Sequence, residues 1–84
     1  MKKTINLLTA INNQKAKVKE AMQTAVIVQS LQSKYELSLE LLKLNTLEPM
    51  DDNKIMAIRT AYGLNSAVWI MAEKEFTKGE FKNV

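Results

Sequence analysis

The stretch Asn45-Thr46-Leu47-Glu48-Pro49-Met50-Asp51-Asp52 decides how this chain divides. Pro49 is its single proline. It cannot extend a helix arriving from upstream, and it biases Glu48 toward an extended backbone. Asp51 then supplies a side-chain acceptor for the free amides of a new helix. With Asp51 as N-cap, Met50 stands at N′ and Ile55 at N4, the spacing of a hydrophobic staple, and Asp52 places a negative charge in the first turn. One helical segment ends at this stretch and another begins.

Upstream, no glycine or proline interrupts the first 48 residues. Reading heptads from Thr4 puts Ile11, Val18, Ala25 and Leu39 at a, and Leu7, Ala21, Val28, Tyr35 and Leu42 at d. Nine of thirteen a and d positions are thus apolar, a helical stripe with the spacing of a coiled coil. Leu8, Ala10, Met22 and Leu31 broaden it toward the wide face of a bundle. Gln14 and Gln32 fall on the stripe, where each either fixes register from a buried position or marks a solvated edge. The sequence predicts a long helical segment over residues 1–48. Two places could split it: Asn12-Asn13, leaving Ile5 to Ile11 as a short first helix, or Gln29 to Ser33.

A strand reading competes between residues 25 and 41. Ala25-Val26-Ile27-Val28 carries three β-branched residues, and Tyr35, Leu37, Leu39 and Leu41 alternate with polar neighbours. Against it, Gln29-Ser30-Leu31-Gln32-Ser33-Lys34 contains none of the residues that build a tight hairpin turn, and its flanks are rich in helix formers. The helical reading prevails.

Downstream, Ile55, Ile58 and Tyr62 share one face of a second helix over residues 51–62, and Gly63 stands where a left-handed C-terminal glycine is expected. Asn65 or Ser66 can cap a third helix over residues 65–78; with Asn65 as N-cap, Leu64 and Trp69 form a second staple. The opening of this helix, Ala67 to Ala72, is apolar on nearly every side and calls for burial. Residues 79–84 are expected to form a tail after Gly79, with Phe81 its one anchor. The whole, residues 1–84, reads as a single all-α domain: a long N-terminal helix, intact or broken, packed against two shorter C-terminal helices.

Eighty-four residues bury limited surface, and the chain has no cysteine to staple it. Helix packing and assembly into a homo-oligomer are the remaining routes to stability. The absence of histidine as well removes the commonest metal ligand and the commonest general base. No glycine-rich loop or acidic metal motif is present, and Asp51-Asp52 reads as a cap. The chain is therefore expected to be no enzyme and to need no cofactor or metal.

Charge is uneven within a formal total of +3, since residues 1–20 hold five lysines against Glu20. Lys15, Lys17 and Lys19 are candidate anion contacts, for instance to a nucleotide between subunits, although lysines on a helix more often form a solvated face. Met1-Lys2-Lys3 with Ile5, Leu7 and Leu8 starts like a secretory leader, but Thr4, Asn6 and Thr9 interrupt it and Asn12-Asn13-Gln14 end it. No membrane span and a cytoplasmic location are expected.

Two binding functions then compete. Ile55 to Phe76 has the order of a helix-turn-helix with Gly63 in the turn, the arrangement of a DNA-binding regulator. Its second helix would offer the groove Ser66, Ala67, Ile70 and Met71 with Lys74, which is poor equipment for reading bases, and Arg59 occupies a position that wants a small residue. The favoured expectation is a protein-binding module whose partner interface draws on Met56, Tyr62, Trp69, Ile70 and Met71, because Trp, Tyr and Met are enriched at interface centres. The small size and the lysine- and asparagine-rich composition suit a viral or mobile-element regulator or inhibitor.

Overall fold

The computed structural model describes the backbone of residues 2–83 and the side chains of residues 7–78. It contains four helices: α1 (Lys2–Ile27), α2 (Leu31–Leu47), α3 (Asp52–Tyr62) and α4 (Ser66–Asn83). No strand occurs among the described residues, so the alternation in Tyr35 to Leu41 belongs to a helix buried on more than one side.

The long segment is broken. Helical bonding runs unbroken through Asn12-Asn13 and stops at Val28 to Ser30. Ser30 caps α2: its hydroxyl accepts from the Ser33 amide, while the Ser30 amide donates to the Ser33 hydroxyl, both at 3.2 Å. This reciprocal pair satisfies two amides at the helix start with serines alone. Chain direction reverses here, and α1 and α2 pack as a hairpin.

The heptad frame holds in α1 from Ile11 to Ala25, with Leu7 ahead of it 49% exposed, and fails beyond α1. Ile11, Gln14, Val18 and Ala25 are buried, as a and d positions should be. In α2 the buried residues are Ser33, Leu37, Ser38, Leu41 and Leu44, none of them an a or d position of that frame. Helical periodicity carries phase along one continuous axis only, and the link resets it.

α2 lies between α1 and α4, and α3 rests more lightly against α1. The longest dimension, 41 Å, is close to the ~39 Å that α1 spans at 1.5 Å per residue. The core gathers Ile11, Val18 and Ala25 from α1, Leu37, Leu41 and Leu44 from α2, Leu64 from the α3–α4 turn and Trp69 from the start of α4. No residue of α3 is fully buried; Ile55, Ile58 and Tyr62 cover the core from one side.

Both helix boundaries read from the C-terminal half are present. Glu48 is extended ahead of Pro49, and the Asn45 side chain accepts from the Met50 amide at 2.7 Å across the corner. Asp51 caps α3 by accepting from the Asn53 amide, and Met50 and Ile55 both pack on the core. Gly63 is left-handed, with φ 68° and ψ 33°. The Leu64 amide donates to the Arg59 carbonyl at 2.8 Å and Gly63 donates to Thr60, which together form a Schellman motif. Asn65 then caps α4 through the Val68 amide at 3.0 Å.

Gly79 does not end α4, contrary to the expected tail: the helix continues to Asn83. A glycine permits a left-handed stop, but the stop is held by an apolar residue docking just after it. Leu64 does this after Gly63 and is buried in the core; Glu80 follows Gly79. The Phe81 side chain lies outside the described residues.

Candidate functional site

The five residues expected to share an interface are distributed by α3 and α4 over several surfaces. Trp69 is core, 9% exposed, in the staple position opposite Leu64. Its ring is covered by Arg59, whose guanidinium carbon stands 4.9 Å from the ring centroid. Arg59 also donates through Nε to the Leu64 carbonyl at 3.3 Å and meets the Met56 sulfur through Nη1 at 3.4 Å. This one side chain thus ties α3 to the turn and to α4, and its cation–π contact adds about 0.5–1 kcal/mol or more as it loses water. A small residue there would leave the Trp69 face open.

Around this anchor three large apolar side chains face outward: Met56 and Met71, each 51% exposed, and Ile70, 48% exposed. Met56 borders a shallow groove with Arg59, Thr60, Asn65 and Ser66 at the α3–α4 turn. Met71 borders another, with Leu31, Gln32 and Tyr35 of α2. Tyr62 points elsewhere, into an apolar groove shared with Met22, Val26 and Ile27 and edged by Lys19. Trp69 is therefore the support of the surface, and Ile70 and Met71 are the part a partner can touch.

The three candidate anion contacts also diverge. Lys15 pairs with Glu48 at 3.2 Å on the surface, Lys17 lines the α1–α2 cleft beside Glu20, Glu36 and Glu40, and Lys19 borders the Tyr62 groove. Within one chain they do not converge on a common anion. Gln14 is buried and bonded, whereas Gln32 is exposed and reaches only Glu36.

Two features escaped the sequence reading. Arg59 read only as a misfit in a helix-turn-helix, because nothing in the spacing announces that it covers Trp69. The second is a run of exposed apolar residues, Val26, Ile27, Val28 and Leu31, at the α1–α2 elbow. Its β-branched composition was legible and read as a strand signal, not as surface.

The order α3, turn Gly63 to Asn65, α4 matches a helix-turn-helix in sequence of elements. The exposed side of α4 offers Ser66, Ala67, Ile70, Met71 and Lys74, joined a turn later by Lys78. Such a surface can bury apolar area and has few groups for base edges. Among the described residues no cluster of acidic side chains is placed to hold a metal, and no helix is long and apolar enough to cross a membrane. No family model matches the chain, and no curated protein or solved structure is similar to it.

Proposed function

We propose that this protein is a non-enzymatic helical module that binds and modulates another protein through the outer side of α4. The observation that carries this reading is the adjacent pair Ile70 and Met71, half-exposed on a helix whose neighbouring Trp69 is locked into the core beneath Arg59. Large apolar side chains on a rigid element lose little conformational freedom on binding, which is how interface centres gain affinity. Met71 adds an adaptable, polarisable contact. A regulator or inhibitor encoded by a phage or mobile element is the biological role that the composition and small size suit.

The test is affinity capture from the native host with the wild type, Ile70→Lys and Met71→Glu, read by mass spectrometry. A protein retained by the wild type and lost by both variants, with helicity unchanged, supports the reading. A partner retained equally by all three places the interface elsewhere.

A further inference from the structure

α3 ends at Tyr62 beside the last turns of α1, and two open grooves meet there. One is lined by Met22, Gln23, Val26, Ile27 and Tyr62 and edged by Lys19. The other is lined by Ala25, Val26 and Gln29 from the end of α1 and its link, by Thr60 to Gly63 from the end of α3, and by Lys34. Val26 and Tyr62 belong to both. The two therefore form one groove with an apolar middle and a lysine in each half. Val26 in that middle is 59% exposed.

The positive charge of this groove has nothing in the chain to cancel it. No acidic residue lines either half. Lys19 and Lys34 have no carboxylate partner among the described residues, whereas Lys15, one turn before Lys19, is held by Glu48. Glu20 and Glu36 line the α1–α2 cleft on a different side of α1. Asp51 and Asp52 stand at the far end of α3, about 15 Å from Tyr62 at 1.5 Å per residue. The C-terminus of α3 draws Lys34 over Gly63, where its Nζ lies 3.5 Å from the place a Cβ would take. That helix end supplies only about half a negative charge against a whole positive one.

We propose that this groove docks an acidic amphipathic segment of a partner protein, with an aliphatic or aromatic side chain laid on Val26 and Tyr62 and flanking carboxylates on Lys19 and Lys34. Charge complementarity selects this occupant. A purely apolar segment leaves both ammonium groups without a counter-charge, and a basic one is repelled. A small anion fits poorly, because small-molecule sites enclose most of their ligand and this groove is open. A segment laid along it gains the apolar contact of a helix-in-groove complex. Neither Ile70 nor Met71 lines the groove, so the inference does not rest on the partner-binding surface of α4.

Fluorescence anisotropy with a panel of labelled peptides of about twelve residues tests it. Each peptide carries a central leucine pair and two glutamates, their separation varied from about four to ten residues to cover one to three helical turns. A second panel has lysine in place of glutamate. At least one acidic peptide should bind with Kd below about 1 mM, and the lysine panel should not bind. Lys19→Gln and Lys34→Gln should each weaken binding about two- to five-fold, as loss of an exposed ion pair does. Val26→Asp, which sets a carboxylate in the middle of the groove, should weaken it more than about ten-fold. Ile70→Lys should leave it unchanged, so failure of the α4 surface and failure of this groove give different results. These variants alter exposed or half-exposed side chains, and circular dichroism checks that helicity is kept. In amide NMR spectra the bound peptide should shift Val26 and Tyr62 and leave Ile70 and Met71 in place. The proposal is overturned if no acidic peptide binds below about 1 mM, if the lysine panel binds equally, if the double variant Lys19→Gln with Lys34→Gln keeps full affinity, or if the shifts fall elsewhere. Binding to phosphatidylcholine vesicles containing phosphatidylserine, abolished by Val26→Asp while no peptide binds, gives the surface to a lipid and also overturns it.

Discussion

Gln14 and Glu40 are joined twice across the α1–α2 interface: the Gln14 amide nitrogen donates to the Glu40 backbone carbonyl at 2.9 Å and to its carboxylate at 2.7 Å. Gln14 is the one polar residue buried on the α1 stripe among the described side chains, and it fixes how far α1 slides along α2. A hydrogen bond to a charged group contributes about 1.5–3 kcal/mol. Gln14→Ala should therefore lower the urea midpoint by an amount equivalent to about 1–3 kcal/mol at unchanged slope. Gln14→Leu, which refills the space, should lose less.

Gly63→Ala tests the Schellman stop. A Cβ at this position would meet only the end of the Lys34 side chain, at 3.5 Å, so crowding is minor and the left-handed backbone sets the cost. That cost is about 1–2 kcal/mol for an L-residue. Thermal unfolding of Gly63→Ala should fall by several degrees, with Gly63→Asn in between because asparagine tolerates this conformation.

These sites also show what was legible in the sequence. Pro49, Asp51, Gly63 and Asn65 announce α3 and both of its boundaries, because each acts through its own backbone or a side chain within three residues. The α1 stripe is legible for the same reason. The Ser30–Ser33 box is local too, and a serine at N-cap with serine at N3 is a readable signal, but it lacks the Glu or Gln that usually completes the motif. The partners of Gln14 and Arg59 are a different matter. Glu40 and Trp69 come into reach only after chain reversals at Ser30 and Gly63 set the helices side by side. Composition likewise did not separate Trp69 as core from Ile70 and Met71 as surface, since that depends on which side of α4 meets α2.

Trp69 and Ile70 are neighbours in sequence with opposite environments, and their variants should behave oppositely. Trp69→Ala removes a buried ring and leaves Arg59 stacked on nothing, a loss of about 3–5 kcal/mol, comparable to the whole stability of a small domain. It should be largely unfolded by circular dichroism at room temperature. Ile70→Lys changes a half-exposed side chain and should cost less than about 1 kcal/mol, retaining the wild-type spectrum and a cooperative melt. An Ile70→Lys protein as unfolded as Trp69→Ala would place Ile70 in the core and withdraw it from any partner surface.

Nucleic-acid affinity should be weak and nonspecific. The outward side of α4 presents Lys74 and Lys78 with Ile70 and Met71 between them and the turn, so few phosphates can be neutralised there. Each phosphate contact contributes about −0.9 to the slope of log affinity against log salt. In mobility-shift titrations at two salt concentrations the wild type should show a slope no steeper than about −2 and no preference among duplex sequences. Ile70→Lys separates the two uses of this surface. If Ile70 meets a protein, the added lysine leaves the DNA slope where it was and abolishes partner capture. If α4 enters a groove, the same lysine adds a phosphate contact, steepening the slope by about 1 and raising affinity. The first outcome is expected, because an apolar pair beside a locked tryptophan gains its free energy by leaving water, and a phosphate backbone cannot take it out of water.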